Sequence, residues 1–132
     1  MLPRALPLSL IAATFAVVSS RAETGDVLFE RDVRPIFTAQ CARCHGPKKQ
    51  EGGLRLDVRR SAFAGGDTGA GIVPGTAKGE VLRRVVSSDE KLRMPPGGEP
   101  LTAKQVALLR SWAEQGAKWP DELAGKEPAE EH

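Results

Sequence analysis

The sequence predicts a small all-α domain with long loops that are rich in glycine and proline. Its 132 residues are enough for one small domain. Apolar residues recur at helical spacing in several segments, whereas the alternating pattern of a half-buried strand is nearly absent. Most of the 14 glycines and 10 prolines lie between these segments, where such residues end regular structure.

The first predicted helix ends near Gln40. Asp32 is a candidate N-cap, and Pro35 is tolerated in a first helical turn. The apolar residues at helical spacing are Phe29, Val33, Ile36 and Phe37.

Two shorter helices are predicted in the middle of the chain. Asp57 is a candidate N-cap for residues 58–64, and the glycine pair that begins at Gly65 ends this helix. Thr76 is a candidate cap for a helix that continues through residues 81–86.

The last predicted helix has the clearest boundaries. Thr102 and Gln105 have the spacing of a capping box, and Gly116 is a natural stop. The residues that share its apolar face are Val106, Leu109, Trp112 and Ala113.

The first 22 residues predict a secretory signal peptide. Arg4 precedes an apolar stretch over residues 6–18, and the small residues Ser20 and Ala22 fit a cleavage site after Ala22. The stretch is shorter than the roughly 20 apolar residues that cross a bilayer, so we expect no integral span after cleavage. A retained N-terminal anchor is the alternative. We therefore expect an exported, periplasmic protein.

Charge is distributed unevenly along the chain. Lys and Arg number 19 against 17 Asp and Glu, and this near-balance argues against nucleic-acid binding through phosphate attraction. Residues 121–132 carry five acids and one lysine, and we expect them to form a disordered acidic tail. The predicted folded domain, residues 23–120, carries a formal charge of +4.

The two cysteines of the chain are three residues apart, and a histidine follows the second. The motif Cys41-Ala42-Arg43-Cys44-His45 is the attachment signature of c-type haem. Two sulfurs about one helical turn apart can bond the two vinyl groups of the porphyrin, while the adjacent imidazole reaches the iron. The motif therefore predicts one covalently bound haem c, with Cys41 and Cys44 as thioethers and His45 as the proximal ligand.

Three other functions of the motif are less favoured. A disulfide between Cys41 and Cys44 suits an exported protein, but its short ring stabilises little. A thioredoxin-like redox pair requires a βαβ setting, which the sequence lacks. A zinc site requires further ligands, and outside the motif the chain offers only His132 as an additional histidine.

Met94 is the candidate distal ligand of the iron. It is the only methionine that remains once the signal peptide is removed, and Pro95 and Pro96 stiffen the loop behind it. His132 is the last residue of the predicted tail, so we favour a His45/Met94 pair over His45 alone. Thioether ligation raises the reduction potential relative to two histidines and closes the iron to small ligands.

The chain resembles the c-type cytochrome domain of planctomycete-type bacterial proteins over about residues 27–120. The matching segments are FERDVRPIF (29–37), CARCHGP (41–47), GGLRLD (52–57), IVPG (72–75), MPP (94–96), LT (101–102) and GAKWP (116–120). The resemblance implies a small helical cytochrome c fold wrapped around one haem, with Cys41 and Cys44 attached, His45 proximal and Met94 distal. It also implies electron transfer rather than enzymatic catalysis.

We therefore expect a monomeric, monohaem carrier of single electrons that acts between redox partner proteins. One rival is an enzyme or small-molecule sensor in which Met94 does not hold the iron. Another is a haem-free interaction module that is stabilised by a disulfide.

Several residues are candidates for supporting roles, each with a plain structural alternative. Three aromatic residues are expected either to cover the haem or to form ordinary core: Phe29, Phe37 and Trp112. Three arginines either pair with haem propionates or belong to a solvated surface: Arg55, Arg84 and Arg93. Three basic residues near the motif are expected either to steer acidic partners or only to solubilise the chain: Arg43, Lys48 and Lys49. We expect His45 to donate its free ring N–H to the carbonyl of Pro47 or Pro74.

Overall fold

The computed structural model describes residues 2–5, 7, 9–14 and 25–126. Within these residues the chain is helical and has no β-strand, which is compatible with the predicted all-α class. No helix in these residues is long and apolar enough to cross a membrane. The predicted cleavage site after Ala22 lies outside the described residues.

The first helix runs without a break from residue 29 to residue 41. It consists of a π-helical segment Phe29–Val33, an α-helical turn α1, Arg34–Ile36, and a second π-helical segment Phe37–Cys41. The predicted cap at Asp32 is wrong, because Asp32 lies inside the helix. Its carboxylate instead accepts a hydrogen bond from the Leu28 N–H, 2.9 Å away, so it still satisfies a donor at the helix start.

Helix α2 spans Arg59–Ala64, close to the predicted range. The Asp57 side chain does not cap it, since its carboxylate accepts two hydrogen bonds from Arg55 at 2.6 and 3.0 Å. The helix ends at Gly65, whose φ of 82° favours glycine.

Helix α3 spans Glu80–Val85 and begins four residues after the predicted cap. Thr76 donates its hydroxyl to the Val73 carbonyl in the turn before the helix. Gly79 is the actual N-cap, with φ of 114°, and a Cβ there would lie 2.6 Å from the Gly71 carbonyl oxygen. Close approach of two backbones therefore fixes the start of this helix.

Helix α4 spans Ala103–Glu114, and its predicted capping box is confirmed. The Thr102 hydroxyl accepts from the Gln105 N–H at 3.1 Å, and the Gln105 side chain accepts from the Thr102 N–H at 2.9 Å. The helix ends before Gly116, whose φ is 112°. Its buried residues are Leu109, Trp112 and Ala113.

A cluster of five aromatic rings, which we call the aromatic core, lies where the first helix packs against α4. Phe29 stacks on Trp119 with ring centroids 4.1 Å apart, and Phe37 meets Trp112 edge to face at 5.9 Å. Phe63 completes the cluster by an edge contact with Trp119. Burial of such large rings is the main source of stability in a small domain.

Residues 121–126, at the start of the predicted tail, pack against α2. Asp121–Leu123 form a 3₁₀ turn, and the Arg59 guanidinium donates to the Trp119 carbonyl and the Asp121 carboxylate. The Arg59 N–H also donates to the Ala124 carbonyl at 2.9 Å. The expected disorder therefore does not describe residues 121–126, and the rest of the predicted tail lies outside the described residues.

Candidate functional site

A cavity of about 190 Å³ brings all four predicted site residues together. Cys41 reaches it from the end of the first helix, and Cys44 and His45 reach it from the turn that follows. Met94 enters from the loop after α3. The apolar part of the lining includes Leu54, Leu56, Val81 and Val85.

A tight turn directs the motif into the cavity. The N–H groups of Cys44 and His45 both donate to the Cys41 carbonyl, at 3.1 and 2.9 Å. Gly46 follows, and a Cβ at this position would collide with the Ala42 carbonyl oxygen. The glycine after the histidine is therefore required for the turn to close on itself.

The two cysteines are separate thiols, and burial changes the chemistry of the first one. Burial, with a smaller contribution from Cys44, raises the pKa of Cys41 to about 12. A reactive redox pair requires a thiolate with a lowered pKa, so the raised pKa of Cys41 disfavours the thioredoxin-like alternative. The described residues contain no group of three or more His, Cys, Asp or Glu side chains that could hold a metal ion.

The His45 backbone is fixed, but its ring lacks the expected partner. The His45 carbonyl accepts from the Leu56 N–H at 2.8 Å, which ties the motif to the segment that lines the cavity. The ring Nδ1 is buried and has no hydrogen-bond partner among the described residues. The predicted bond to the carbonyl of Pro47 or Pro74 is therefore not formed.

Met94 is anchored to the end of α3. Its N–H donates to the Arg84 carbonyl at 3.1 Å. The turn before it is closed by Asp89, whose backbone carbonyl accepts from the N–H groups of Leu92 and Arg93 at 3.0 and 2.8 Å. These bonds hold the half-buried Met94 beside the cavity.

Only one of the three arginines proposed to meet propionates is left with an unsatisfied nitrogen. Arg55 pairs with Asp57 at 2.6 Å, and Arg84 pairs with Glu80 at 3.0 Å. The Nε of Arg93 is buried and without a partner in the part of the chain that the structure describes. Arg93 itself does not line the cavity, but its neighbour Met94 does.

Glu80 is the most strongly bonded acid at the cavity. Its carboxylate accepts hydrogen bonds from Arg83, Arg84 and Thr68, all between 2.9 and 3.0 Å. These bonds, above all the one from Arg83, lower the pKa of Glu80 to about 2. Because Thr68 belongs to the glycine-rich loop before α3, Glu80 also fixes that wall of the cavity.

Sequence reasoning missed the glycine wall of the cavity. Gly66 and Gly71 have no room for a Cβ, which would collide with the carbonyl oxygens of Gly52 and Ala62 respectively. A Cβ at Gly52 or Gly69 would instead meet no protein atom within 4 Å. The available signal was the clustering of glycines between residues 52 and 71, but it does not show which backbones touch.

The aromatic residues expected to cover the haem do not line this cavity. Phe29, Phe37 and Trp112 are absent from its lining and belong to the aromatic core. Helical periodicity identified them as buried but could not show which neighbours they contact. Their plain structural alternative, ordinary core, is confirmed.

The residues of this cavity fit a c-type haem. Buried polar atoms are almost always hydrogen-bonded, and the described residues contain only two buried side-chain nitrogen or oxygen atoms that are not: His45 Nδ1 and Arg93 Nε. One belongs to the predicted proximal ligand and the other to the neighbour of the predicted distal ligand. A haem brings carboxylate acceptors, with which the Arg93 Nε–H could pair.

Comparison with known proteins points to the same chemistry. Residues 41–98 match the model of the family described as planctomycete cytochrome C. The matched range begins at the first motif cysteine and includes Met94. No curated protein and no solved structure matches the chain. This match supports a planctomycete-type cytochrome c domain at residues 41–98, and haem binding and electron transfer are the properties that this family implies.

Proposed function

We propose that this protein is an exported monohaem c-type cytochrome that carries single electrons between redox partner proteins. The observation that supports this most strongly is the convergence of Cys41, Cys44, His45 and Met94 on one cavity. The proposal includes no bond-making reaction on a substrate.

Cys41 and Cys44 hold the haem through thioethers in this proposal. The chain has two cysteines and one attachment motif, so it provides for one haem. Closure of the turn by Gly46 keeps both sulfurs on the same edge of the cavity.

His45 and Met94 would hold the iron of the haem. When bound, the haem supplies an iron that alternates between the ferrous and ferric states. The chain fixes its two ligands through backbone hydrogen bonds, from Leu56 to the His45 carbonyl and from Met94 to the Arg84 carbonyl. Little reorganisation of the ligands is then needed when the iron changes charge.

Arg93 pairs with a carboxylate of the haem in this proposal. Its Nε is buried without an acceptor, whereas Arg55 and Arg84 are already paired with Asp57 and Glu80. A buried guanidinium N–H that lacks an acceptor is costly, and a propionate would remove that cost.

Export is proposed from the signal-peptide pattern of residues 1–22. N-terminal sequencing of the native protein tests it. We expect the mature chain to begin at Glu23, and a chain that retains residues 1–22 contradicts cleavage.

Spectroscopy of the protein from a host with haem-attachment machinery tests the function. We expect a pyridine haemochrome of the c type and, in the ferric protein, the long-wavelength band that thioether ligation gives. Met94→Ala should abolish this band and allow rapid binding of carbon monoxide. An unchanged spectrum in that variant contradicts the assigned ligand, and rapid carbon monoxide binding to the unaltered protein favours a sensor or an enzyme.

A further inference from the structure

We propose that an acidic redox protein docks in a groove between α3 and α4, which we call the basic groove. The inference rests on the proposed electron transfer and names where the partner binds. The side chains that carry the argument are Lys78, Arg83, Val86 and Arg110, all of which line this groove.

Charge complementarity favours an acidic partner. The groove is lined by three cationic side chains and one acid, Glu80. Arg83 is held by that acid, whereas Lys78 and Arg110 are exposed and form no ion pair within the described part of the chain. These two charges are therefore available to attract the carboxylates of a partner.

The groove lies directly beside the haem cavity. Thr68, Gly69 and Glu80 line both of them, so a single layer of residues separates a docked partner from the cavity. Electron transfer slows steeply with distance, so a productive docking surface must lie this close to the haem.

A second groove of opposite charge serves as an internal comparison. It is lined by Asp26, Glu30 and Asp121 against Lys118, and it shares no lining residue with the haem cavity. A partner in this acidic groove would face the aromatic core instead of the haem. The position of the charges thus orients an acidic protein toward the side from which electrons can pass.

The basic groove also has features of a protein interface. Val86 is 50% exposed and provides an apolar contact among the cations. Two hydrogen bonds to Glu80, at 2.9 and 3.0 Å, pre-order Arg83, so a partner would lose less free energy in immobilising it.

One electron passes between the haem and the docked partner. When the docked protein is an acceptor, the haem iron goes from ferrous to ferric and the partner gains that electron. When the docked protein is a donor, the iron is reduced and the partner is oxidised by one electron.

Charge reversal in the groove tests the inference in the haem-loaded protein. The groove variant is Lys78→Glu/Arg110→Glu, and the control is Lys104→Glu/Lys118→Glu, which changes the net charge equally outside the groove. Anionic hexacyanoferrate(III) serves as the probe, and its oxidation of the ferrous protein is followed by stopped flow at low ionic strength. We expect about tenfold slower oxidation in the groove variant and a change of less than about twofold in the control.

With a cationic probe we expect the rate to change in the opposite direction. Reduction of the ferric protein by hexaammineruthenium should be faster in the groove variant than in the control. The milder variant Lys78→Gln/Arg110→Gln should slow oxidation by hexacyanoferrate(III) about threefold. This variant keeps the test available if the charge-reversal variant does not fold. Equal slowing in the groove and control variants, or stronger slowing in the control, would contradict the docking site. The proposed function would still stand if the protein keeps its haem spectrum. A colourless protein contradicts both.

Discussion

The aromatic core and the haem cavity differ in how completely their polar groups are satisfied. In the aromatic core the indole N–H of Trp112 donates to the Lys118 carbonyl at 2.8 Å, and that of Trp119 donates to the Leu123 carbonyl at 2.6 Å. At the cavity, His45 Nδ1 and, next to Met94, Arg93 Nε are buried without hydrogen-bond partners in the described residues. The indole donors of the aromatic core are therefore satisfied by the polypeptide, whereas these two nitrogens are not.

This difference separates stability from function. The aromatic core holds the first helix against α4 and so positions the start of the attachment motif. The cavity brings together the residues proposed to hold the haem. Substitutions in the core should therefore change unfolding without changing the iron ligands, whereas substitutions of His45 or Met94 should change the spectrum of the haem-loaded protein.

Trp112→Ala should have the largest effect on stability. Trp112 is 1% exposed and contacts Phe29, Phe37 and Trp119, so its truncation should cost about 3–5 kcal/mol of unfolding free energy. Denaturant unfolding of the haem-loaded protein measures this loss. The thioether band of the folded variant should persist, and its disappearance would show that core and cavity are not separable.

Arg93→Met should lower the reduction potential. Loss of a positive charge near the haem stabilises the ferric state, and we expect a decrease on the order of 50 mV, as a Coulomb estimate at intermediate dielectric gives. Arg55→Met is the matched control, because Arg55 already pairs with Asp57. Equal decreases in the two variants would contradict a specific role for Arg93.

Glu80 should make stability depend on pH in the acid range. A carboxylate whose pKa is lowered contributes stability above its ordinary pKa of 4.5, and this stability is lost as pH falls toward about 2. After allowance for solvent screening we expect a contribution of about 1 kcal/mol. Glu80→Gln should therefore be less stable at neutral pH and should lose less stability on acidification. Parallel pH profiles for the two proteins would rule this out.

Thr102→Ala should have the smallest effect, because it removes only one arm of the capping box of α4. We expect a loss of about 1 kcal/mol, measured by the same unfolding experiment. Thr102→Ser, which keeps the hydroxyl acceptor, should recover most of it. No loss in Thr102→Ala would mean that tertiary packing alone fixes the start of α4.

The sequence predicted features that depend on local spacing. The capping box at Thr102 and Gln105 and the helix that ends at the attachment motif both follow from residues close together in the chain. The convergence of Met94 with the motif was also predicted, because few side chains in this chain can ligate iron.

Competing local hydrogen bonds and contacts between distant segments were not predictable. Asp57 and Thr76 are residue types that cap helices. The Asp57 carboxylate instead accepts hydrogen bonds from Arg55, and the Thr76 hydroxyl donates to the Val73 carbonyl. Periodicity likewise could not tell whether Trp112 faces the haem or the other aromatic rings. The Glu80 network and the glycine wall join segments that only the fold brings together.

The intact mass of the protein purified from a host with haem-attachment machinery tests the central claim most directly. The account predicts the mass of the polypeptide plus one haem, and Cys41 and Cys44 that resist alkylation under denaturing conditions because both are thioethers. A polypeptide of unmodified mass, with both sulfurs open to alkylation directly or after reduction of a disulfide, would contradict it.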